Sequence, residues 1–150
     1  MSVVYRLMHL YWRLSRGLTL GVRAAVIDEH DAVFLVRHSY VKGWHLPGGG
    51  VEPGETLIEA LARELAEEGN IALTEPPVLH GVFFNKRPPS RDHVIVYVAR
   101  HFVQSAPRER DAEILETGFF PLGALPPDTG QATLRRLQEI GEGAAISPFW

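Results

Sequence analysis

The chain begins with apolar residues that recur at intervals of three and four positions. These residues are Val3, Val4, Leu7, Leu10, Tyr11 and Leu14. This spacing is typical of an amphipathic helix, and Gly17 is a residue type that commonly ends one. We therefore predict a helix over residues 1–16. It either packs on the core of its own domain or lies on a membrane surface. The first interpretation is favoured because the polar face is short and carries few cations.

After residue 17 the pattern changes to short segments rich in Val, Ile and Phe, separated by polar or Pro-containing turns. Such segments predict strands, and they cover residues 19–27, 32–37, 78–85, 93–103 and 114–121. The first two are joined by a polar turn, which predicts a hairpin. Helical patterns cover about residues 56–68 and 129–141, whereas residues 41–54 are too rich in Gly and Pro for regular structure.

The order of these elements is not a regular alternation of strand and helix. It therefore predicts the α+β class, with a mixed sheet between helices, rather than a doubly wound parallel fold. The 150 residues are about the length of one domain, so residues 1–150 are interpreted as a single unit.

Composition narrows the function classes. A chain with 45% apolar and 22% charged residues fits a globular domain. The net charge of −3 is too mild to indicate a nucleic-acid partner or an anionic membrane. No apolar run is long enough for a membrane span. The absence of Cys excludes disulfides and thiol nucleophiles, and the lack of a secretory pattern favours the cytoplasm.

The helix predicted from residue 56 carries an unusual acidic face. At about 100° per residue, Glu64, Glu67 and Glu68 share one side of this helix. Such carboxylates repel one another, and the helix dipole disfavours anions near the C-terminus. Taken alone, an acidic helical face is usually just solvated. Divalent cations, which bind carboxylate oxygens, would resolve the conflict.

The segment before this helix makes the cation interpretation stronger. Gly49, Glu55 and the run from Arg63 to Ile71 resemble the Nudix box, Gly-x5-Glu-x7-Arg-Glu-U-x-Glu-Glu-x-Gly-U, where U is a bulky apolar residue. All fixed positions agree except one, where Asn70 stands in place of Gly. That position ends the helix and is expected to be left-handed, a conformation that Asn tolerates.

The resemblance implies an α/β/α sandwich with a mixed sheet, here with an extra N-terminal helix. It also implies hydrolysis of a diphosphate linkage in a substrate of the type nucleoside-diphosphate-X, using Mg²⁺ or Mn²⁺. The substrate would be a small nucleotide-like molecule, and a homodimer is common in the family. The alternative is a nucleotide-binding sensor that does not hydrolyse its ligand, for which Asn70 is the motivation.

The resemblance further implies roles for individual residues. The metal ligands would be Glu64, Glu67, Glu68, the Gly48 carbonyl and a later acid, with Glu113 preferred over Glu116. The catalytic base would be either Glu64 or Glu67. Glu55 and Arg63 would brace the loop against the helix. The residues considered for substrate binding are Arg37, Lys42, Trp44 and Arg87.

Overall fold

The computed structural model describes residues 3–150, which form three helices and eight strands. The helices are α1 (Val3–Ser15), α2 (Leu57–Gly69) and α3 (Gln131–Glu142). The strands are β1 (Thr19–Val26), β2 (Ala32–His38), β3 (Gly48–Gly50), β4 (Ile71–Leu73), β5 (Val78–Asn85), β6 (Asp92–Ala99), β7 (Phe102–Gln104) and β8 (Ile114–Pro121). The predicted α+β class is confirmed.

A mixed four-stranded sheet forms the centre of the fold, in the order β3-β1-β6-β5. Strands β1 and β6 run parallel, whereas β3 and β5 pair antiparallel to their neighbours. Two further antiparallel pairs, β2 with β8 and β4 with β7, complete the sheet structure of the described residues. The predicted mixed sheet is therefore confirmed.

Two buried clusters lie on opposite sides of these strands. Val22, Ala24 and Val26 of β1 belong to the cluster that includes Leu61 and Leu65 of α2. The intervening residue Ala25 belongs to the other cluster, which includes Leu137 of α3. Because successive side chains of a strand point to opposite faces, α2 and α3 cover opposite faces of the strands.

The predicted hairpin between the first two strands is wrong. Strand β1 pairs with β3 and β6, and β2 pairs with β8. Only the bridge between Ile27 and Val33 joins the two segments. Both faces of each strand are buried. Each strand therefore pairs with other strands inside the core and does not form an isolated hairpin. The Asp28 carboxylate accepts hydrogen bonds from the amides of His30 and Ala32, which makes the intervening turn.

The Gly-rich segment, predicted to be irregular, contains strand β3. Gly48, Gly49 and Gly50 pair with Arg23, Val22 and Gly21 of β1. Gly48 has φ 138, and a Cβ at this position would collide with the β1 backbone. Only glycine allows this close approach. Three glycines in a row predict a loop, but their lack of side chains is also what allows this segment to pair closely with β1 at the edge of the sheet.

Two other boundaries differ from the predictions. The segment predicted as one strand over 93–103 is divided into β6 and β7, and the C-terminal helix begins two residues later than predicted, after an N-cap at Gly130.

The N-terminal helix forms, but it does not pack on the core. None of the described residues in α1 is buried, and Val3 and Leu14 are 73% and 72% exposed. The expectation that this helix packs on its own domain is therefore wrong. No helix within residues 3–150 combines the length and apolar character required to cross a bilayer.

Candidate functional site

Helix α2 is fixed at both ends. At its start, the Thr56 hydroxyl accepts a hydrogen bond from the Glu59 amide, and the Glu59 carboxylate accepts one from the Thr56 amide. This reciprocal pair is a capping box. At its end, Asn70 has φ 53 and ψ 34, so the expected left-handed conformation is confirmed. Burial of Leu61 and Leu65 then sets which side of the helix carries its carboxylates.

The three carboxylates of α2 differ sharply in burial. The exposed fractions of the side chains are 7% for Glu68, 14% for Glu64 and 61% for Glu67. A solvated acidic face would leave all three in water. Two of these acids instead lie between the helix and the rest of the fold, which is the costly arrangement expected of a functional site.

Both oxygens of Glu68 accept hydrogen bonds. Its Oε1 lies 2.6 Å from Nε2 of His38, and its Oε2 accepts a 2.7 Å bond from the Gly48 amide. Within the described residues, Nδ1 of His38 is buried without a hydrogen-bond partner. Glu68 therefore connects the end of β2, the Gly-rich strand and α2.

Glu64 lies beneath the Gly-rich strand. A Cβ added to Gly49 would meet the Glu64 carboxylate, with the nearest oxygen at 2.5 Å. The other contact of this carboxylate is the Arg63 guanidinium, at 2.7 Å. Burial raises the pKa of Glu64, the charge of Glu68 raises it further, and the hydrogen bond from Arg63 opposes the shift. Glu64 is thus a carboxylate with an increased affinity for a proton.

Glu55 and Arg63 join the loop to the helix. The Arg63 guanidinium donates to both Glu55 oxygens at 2.7 and 3.0 Å and to the Gly50 carbonyl at 3.1 Å. The hydrogen bonds from Arg63 to Glu55, together with one from the Glu52 amide, lower the pKa of Glu55 to about 2. The two residues lie together as the family resemblance implied, and their hydrogen bonds connect the Gly-rich loop to helix α2.

Two adjoining clefts meet at the carboxylates. One, of about 470 Å³, is lined by Glu64, Glu67, Glu68, Asn70, Arg108 and Glu113. The other, of about 430 Å³, is lined by the Gly-rich strand together with Glu64, Glu68, Tyr40 and Glu113. The structure thus brings Glu113 into both clefts. Glu116 lies elsewhere, 3.8 Å from Arg37.

The donor set suits a hard divalent cation. Carboxylate and carbonyl oxygens are the ligands that Mg²⁺ and Mn²⁺ prefer. Five carboxylates border these clefts, those of Glu64, Glu67, Glu68, Asp92 and Glu113. The Gly-rich strand approaches them so closely that a Cβ at Gly49 would fill the space. Within residues 3–150, no three acidic or His side chains already converge on one point. Glu64 and Glu68 bond instead to Arg63, His38 and the Gly48 amide.

The residues considered for substrate binding are brought together only in part, because Lys42 shares one cavity with Arg87 and another, of about 600 Å³, with Arg37. Lys42 and Arg87 line a third cavity, of about 670 Å³, which also includes Arg23 and Tyr40. Arg37 lies outside it and pairs with Glu116 and with Asp128 at 3.4 Å.

The prediction that Trp44 contributes to substrate binding is wrong. Trp44 is 5% exposed and packs edge-on against Phe120 in the core, so its burial leaves no open face for stacking on a base.

Three residues near the site were missed. His38 follows Phe34 and Val36 on the face of β2 that meets α2, and this period of two could have identified it. Arg23 lies in both neighbouring cavities and donates to the Leu46 carbonyl at 2.9 Å. Arg108 donates to the Glu67 carbonyl at the end of α2. It lies in a loop, and no sequence signal predicts it.

A family model described as the NUDIX domain matches residues 17–139. The human 8-oxo-dGDP phosphatase NUDT18 is 35% identical over 133 residues, which are 85% of this chain and 40% of that protein. A MutT NUDIX hydrolase from Burkholderia pseudomallei superimposes with a TM-score of 0.71 at 28% identity, covering 81% of this chain and 97% of that one. The chain belongs to the Nudix hydrolase family.

Two further comparisons define the extent of this similarity. The NUDIX domain of Shewanella oneidensis NrtR, solved with ADP ribose, superimposes with a TM-score of 0.74. It covers 95% of this chain and 99% of that one, and at 21% identity the likeness concerns the fold alone. The chain spans about two fifths of the length of the human and mouse NUDT18 proteins.

Proposed function

We propose that this protein hydrolyses a diphosphate linkage in a nucleoside-diphosphate-X substrate, with water as the attacking group and Mg²⁺ or Mn²⁺ as cofactor. The observation that carries the proposal is that Glu64, Glu67, Glu68 and Glu113 line two adjoining clefts beside a Gly-rich strand, three of them in both clefts and Glu67 in one. Two of these acids are largely buried. Stability alone gives no reason to bury them there.

The proposed ligands are the four carboxylates and the Gly48 carbonyl. When bound, a divalent cation would neutralise charge on the diphosphate and lower the pKa of a bound water molecule. Glu68 is held by His38 and the Gly48 amide, so its role is to provide a fixed negative charge. Arg63 donates a hydrogen bond to the Glu64 carboxylate.

Glu64 and Glu67 are the proposed alternatives for the base that accepts the proton of the attacking water. Glu64 is supported by its raised pKa, which burial causes. Glu67 is supported by its exposure, which lets its carboxylate meet water directly. A proton-accepting group is most effective when its pKa approaches the working pH, and this comparison favours Glu64.

The neighbouring cavity of about 670 Å³ is the proposed location of the nucleoside part. It adjoins the carboxylates, because Arg23 and Tyr40 line both spaces. Lys42 and Arg87 add positive charge for phosphate oxygens. The similarity to 8-oxo-dGDP phosphatase makes an oxidised guanine nucleoside diphosphate the first substrate to examine.

A substrate panel tests the proposal. Purified protein would be assayed for monophosphate and phosphate release from 8-oxo-dGDP, dGDP, nucleoside triphosphates, UDP-sugars and ADP-ribose, with Mg²⁺ or Mn²⁺. We expect turnover that chelation abolishes, with ¹⁸O from labelled water entering a product phosphate. Glu64→Gln should lose turnover, whereas Glu142→Gln, an exposed acid on α3, should keep it. Calorimetric binding without any product would instead support the sensor alternative and overturn hydrolysis.

A further inference from the structure

Helix α1 presents a wide apolar surface that the described fold leaves uncovered. Every described residue of the helix is exposed. The large apolar side chains Leu7, Leu10 and Leu14 are 61%, 51% and 72% exposed. Leu18, in the connection to β1, extends this surface at 63% exposure. Exposed apolar patches of this kind mark interaction sites.

The charges of this helix are segregated to one side. At about 100° per residue, the basic side chains of residues 3–16 share a sector about 80° wide. These are Arg6, His9, Arg13 and Arg16. Apart from Ser15, all other positions are apolar or aromatic. No Asp or Glu occurs between residues 3 and 18, although the whole chain has a net charge of −3.

Aromatic residues lie on one border between the two sectors. Trp12 and Tyr5 fall at about 180° and 200° from Val3, next to Arg16 at about 220°. The His9 ring contacts both, tilted against Tyr5 and edge-on to Trp12, with ring centroids at 4.3 and 5.5 Å. Aromatic rings between an apolar and a cationic surface are typical of helices at the level of lipid headgroups.

The width of the apolar sector distinguishes between two possible binding partners of α1, a protein groove and a lipid bilayer. A helix that packs on a protein core needs an apolar stripe of about 100°, whereas this sector covers about 220° on the same wheel. A protein groove would leave much of it in water. A helix lying in a bilayer interface can sink until the whole sector is covered, while its arginines reach lipid phosphates.

We propose that α1 is an interfacial helix that binds the Nudix domain to the surface of anionic lipid membranes. The helix lies in the plane of the interface and does not cross it. The hydrolase domain follows after the connection formed by Arg16, Gly17 and Leu18, so binding would hold the candidate active site close to the membrane surface.

Vesicle binding by the protein with helix α1 intact tests this proposal. The vesicles would be pure phosphatidylcholine or phosphatidylcholine with 30% phosphatidylglycerol. We expect co-sedimentation with the anionic vesicles, with a blue shift of Trp fluorescence that Trp12→Phe abolishes. Leu7→Glu with Leu14→Glu should lower the partition coefficient at least tenfold without a change in the melting temperature, because these side chains support no core packing.

The contribution of charge is tested separately. Arg6→Gln with Arg13→Gln should weaken binding to anionic vesicles about 30-fold, since each surface arginine contributes about fivefold. Arg100→Gln with Arg110→Gln removes the same charge elsewhere and should have a much smaller effect. Absence of binding to any vesicle, or equal binding to neutral and anionic vesicles, would overturn the proposal. So would a dimer that Leu7→Glu with Leu14→Glu dissociates without any vesicle binding, because a second copy would then cover the face.

Discussion

The Nε2 nitrogen of His38 lies 2.6 Å from Oε1 of Glu68, at a position where both side chains are almost fully buried. An ionised carboxylate only accepts hydrogen bonds, so with Glu68 ionised Nε2 of His38 is the donor in this contact. The carboxylate is thereby held between β2 and the Gly48 amide. His38 is a positioning residue for Glu68 in the proposed metal site.

His38→Ala should weaken the apparent affinity for Mg²⁺ by about 10- to 100-fold, the usual cost of losing a group that orients a metal ligand. The measurements are the Mg²⁺ concentration that gives half-maximal activity and the Mg²⁺-induced shift of the melting temperature without substrate. His38→Gln, which keeps an N–H donor, should recover part of the loss. His80→Ala is the matched control, because His80 also bonds to a buried Glu but lies outside the clefts. Equal Mg²⁺ dependence in wild type and His38→Ala would refute this role.

Substitution of Glu67 should affect catalysis without affecting stability. Its side chain is 61% exposed and 3.7 Å from Arg63. Surface substitutions of this kind change stability by about 0.5 kcal/mol or less, so Glu67→Gln should leave the unfolding transition almost unchanged. If this carboxylate binds metal or accepts a proton, kcat should fall about 10²-fold or more. Glu142→Gln is the control for charge loss on an exposed helix, and a kcat near wild type in Glu67→Gln would remove Glu67 from the site.

The pairing of Glu55 with Arg63 predicts a pH dependence of stability. The pKa of Glu55 is lowered from 4.5 to about 2, chiefly by hydrogen bonds from Arg63. The unfolded chain therefore binds this proton more readily, and the stabilisation present above pH 4.5 is lost as the pH falls towards 2. Arg63→Met should reduce the slope of melting temperature against pH in this window. Arg110→Met is the control, and an unchanged slope in Arg63→Met would contradict the assignment.

How much of the site the sequence predicts depends on the range of the interactions. The capping box and the left-handed Asn70 are local features, and the acidic face follows from helical periodicity. The Glu55–Arg63 contact was anticipated from the family resemblance. The strand partners of β1 and β2, by contrast, are chosen by burial on both faces. The polar turn at residues 28–31 is compatible with either pairing, so it does not predict which strands become the partners of β1 and β2.

The same distinction explains the errors at single residues. Trp44 looks like a stacking residue beside the Gly-rich segment, yet it is buried against Phe120, which is distant in sequence. His38 becomes informative only when Glu68 is brought beside it from 30 positions away. The favoured prediction that α1 packs on the core was wrong because an apolar helical stripe has the same sequence whatever covers it.

Asn70 tests whether the departure from the family box affects function. Its left-handed backbone closes α2, and its side chain donates to the carbonyls of Ala106 and Pro107 at 3.3 and 3.4 Å. Asn70→Ala should destabilise the protein by about 1–2 kcal/mol, because Ala lacks the short polar side chain that allows Asn to adopt this conformation. Asn70→Gly should fold with near-wild-type stability and keep the same kcat. A large rise in kcat for Asn70→Gly would mean that Asn70 limits the reaction.

The C-terminal segment is held by a buried ion pair. Arg136 is fully buried, donates to both oxygens of Glu139 at 2.7 and 2.8 Å, and lies 3.8 Å from the Phe83 ring centre. It also donates to the Phe149 carbonyl. Burial alone would raise the pKa of Glu139, but hydrogen bonds from Arg136, His80 and the Ser147 amide bring it below the usual value. Arg136→Met would leave a buried carboxylate with fewer partners.

We expect Arg136→Met to lower the free energy of unfolding by about 3–5 kcal/mol, the usual cost of breaking a buried ion pair. Urea denaturation monitored by Trp fluorescence measures this change. Arg135→Met is the matched control, because Arg135 is exposed on the same helix and donates to the Trp150 carbonyl. Its loss should cost about 1 kcal/mol or less. Similar values for the two variants would show that burial of the Arg136–Glu139 pair adds nothing to the attachment of this segment.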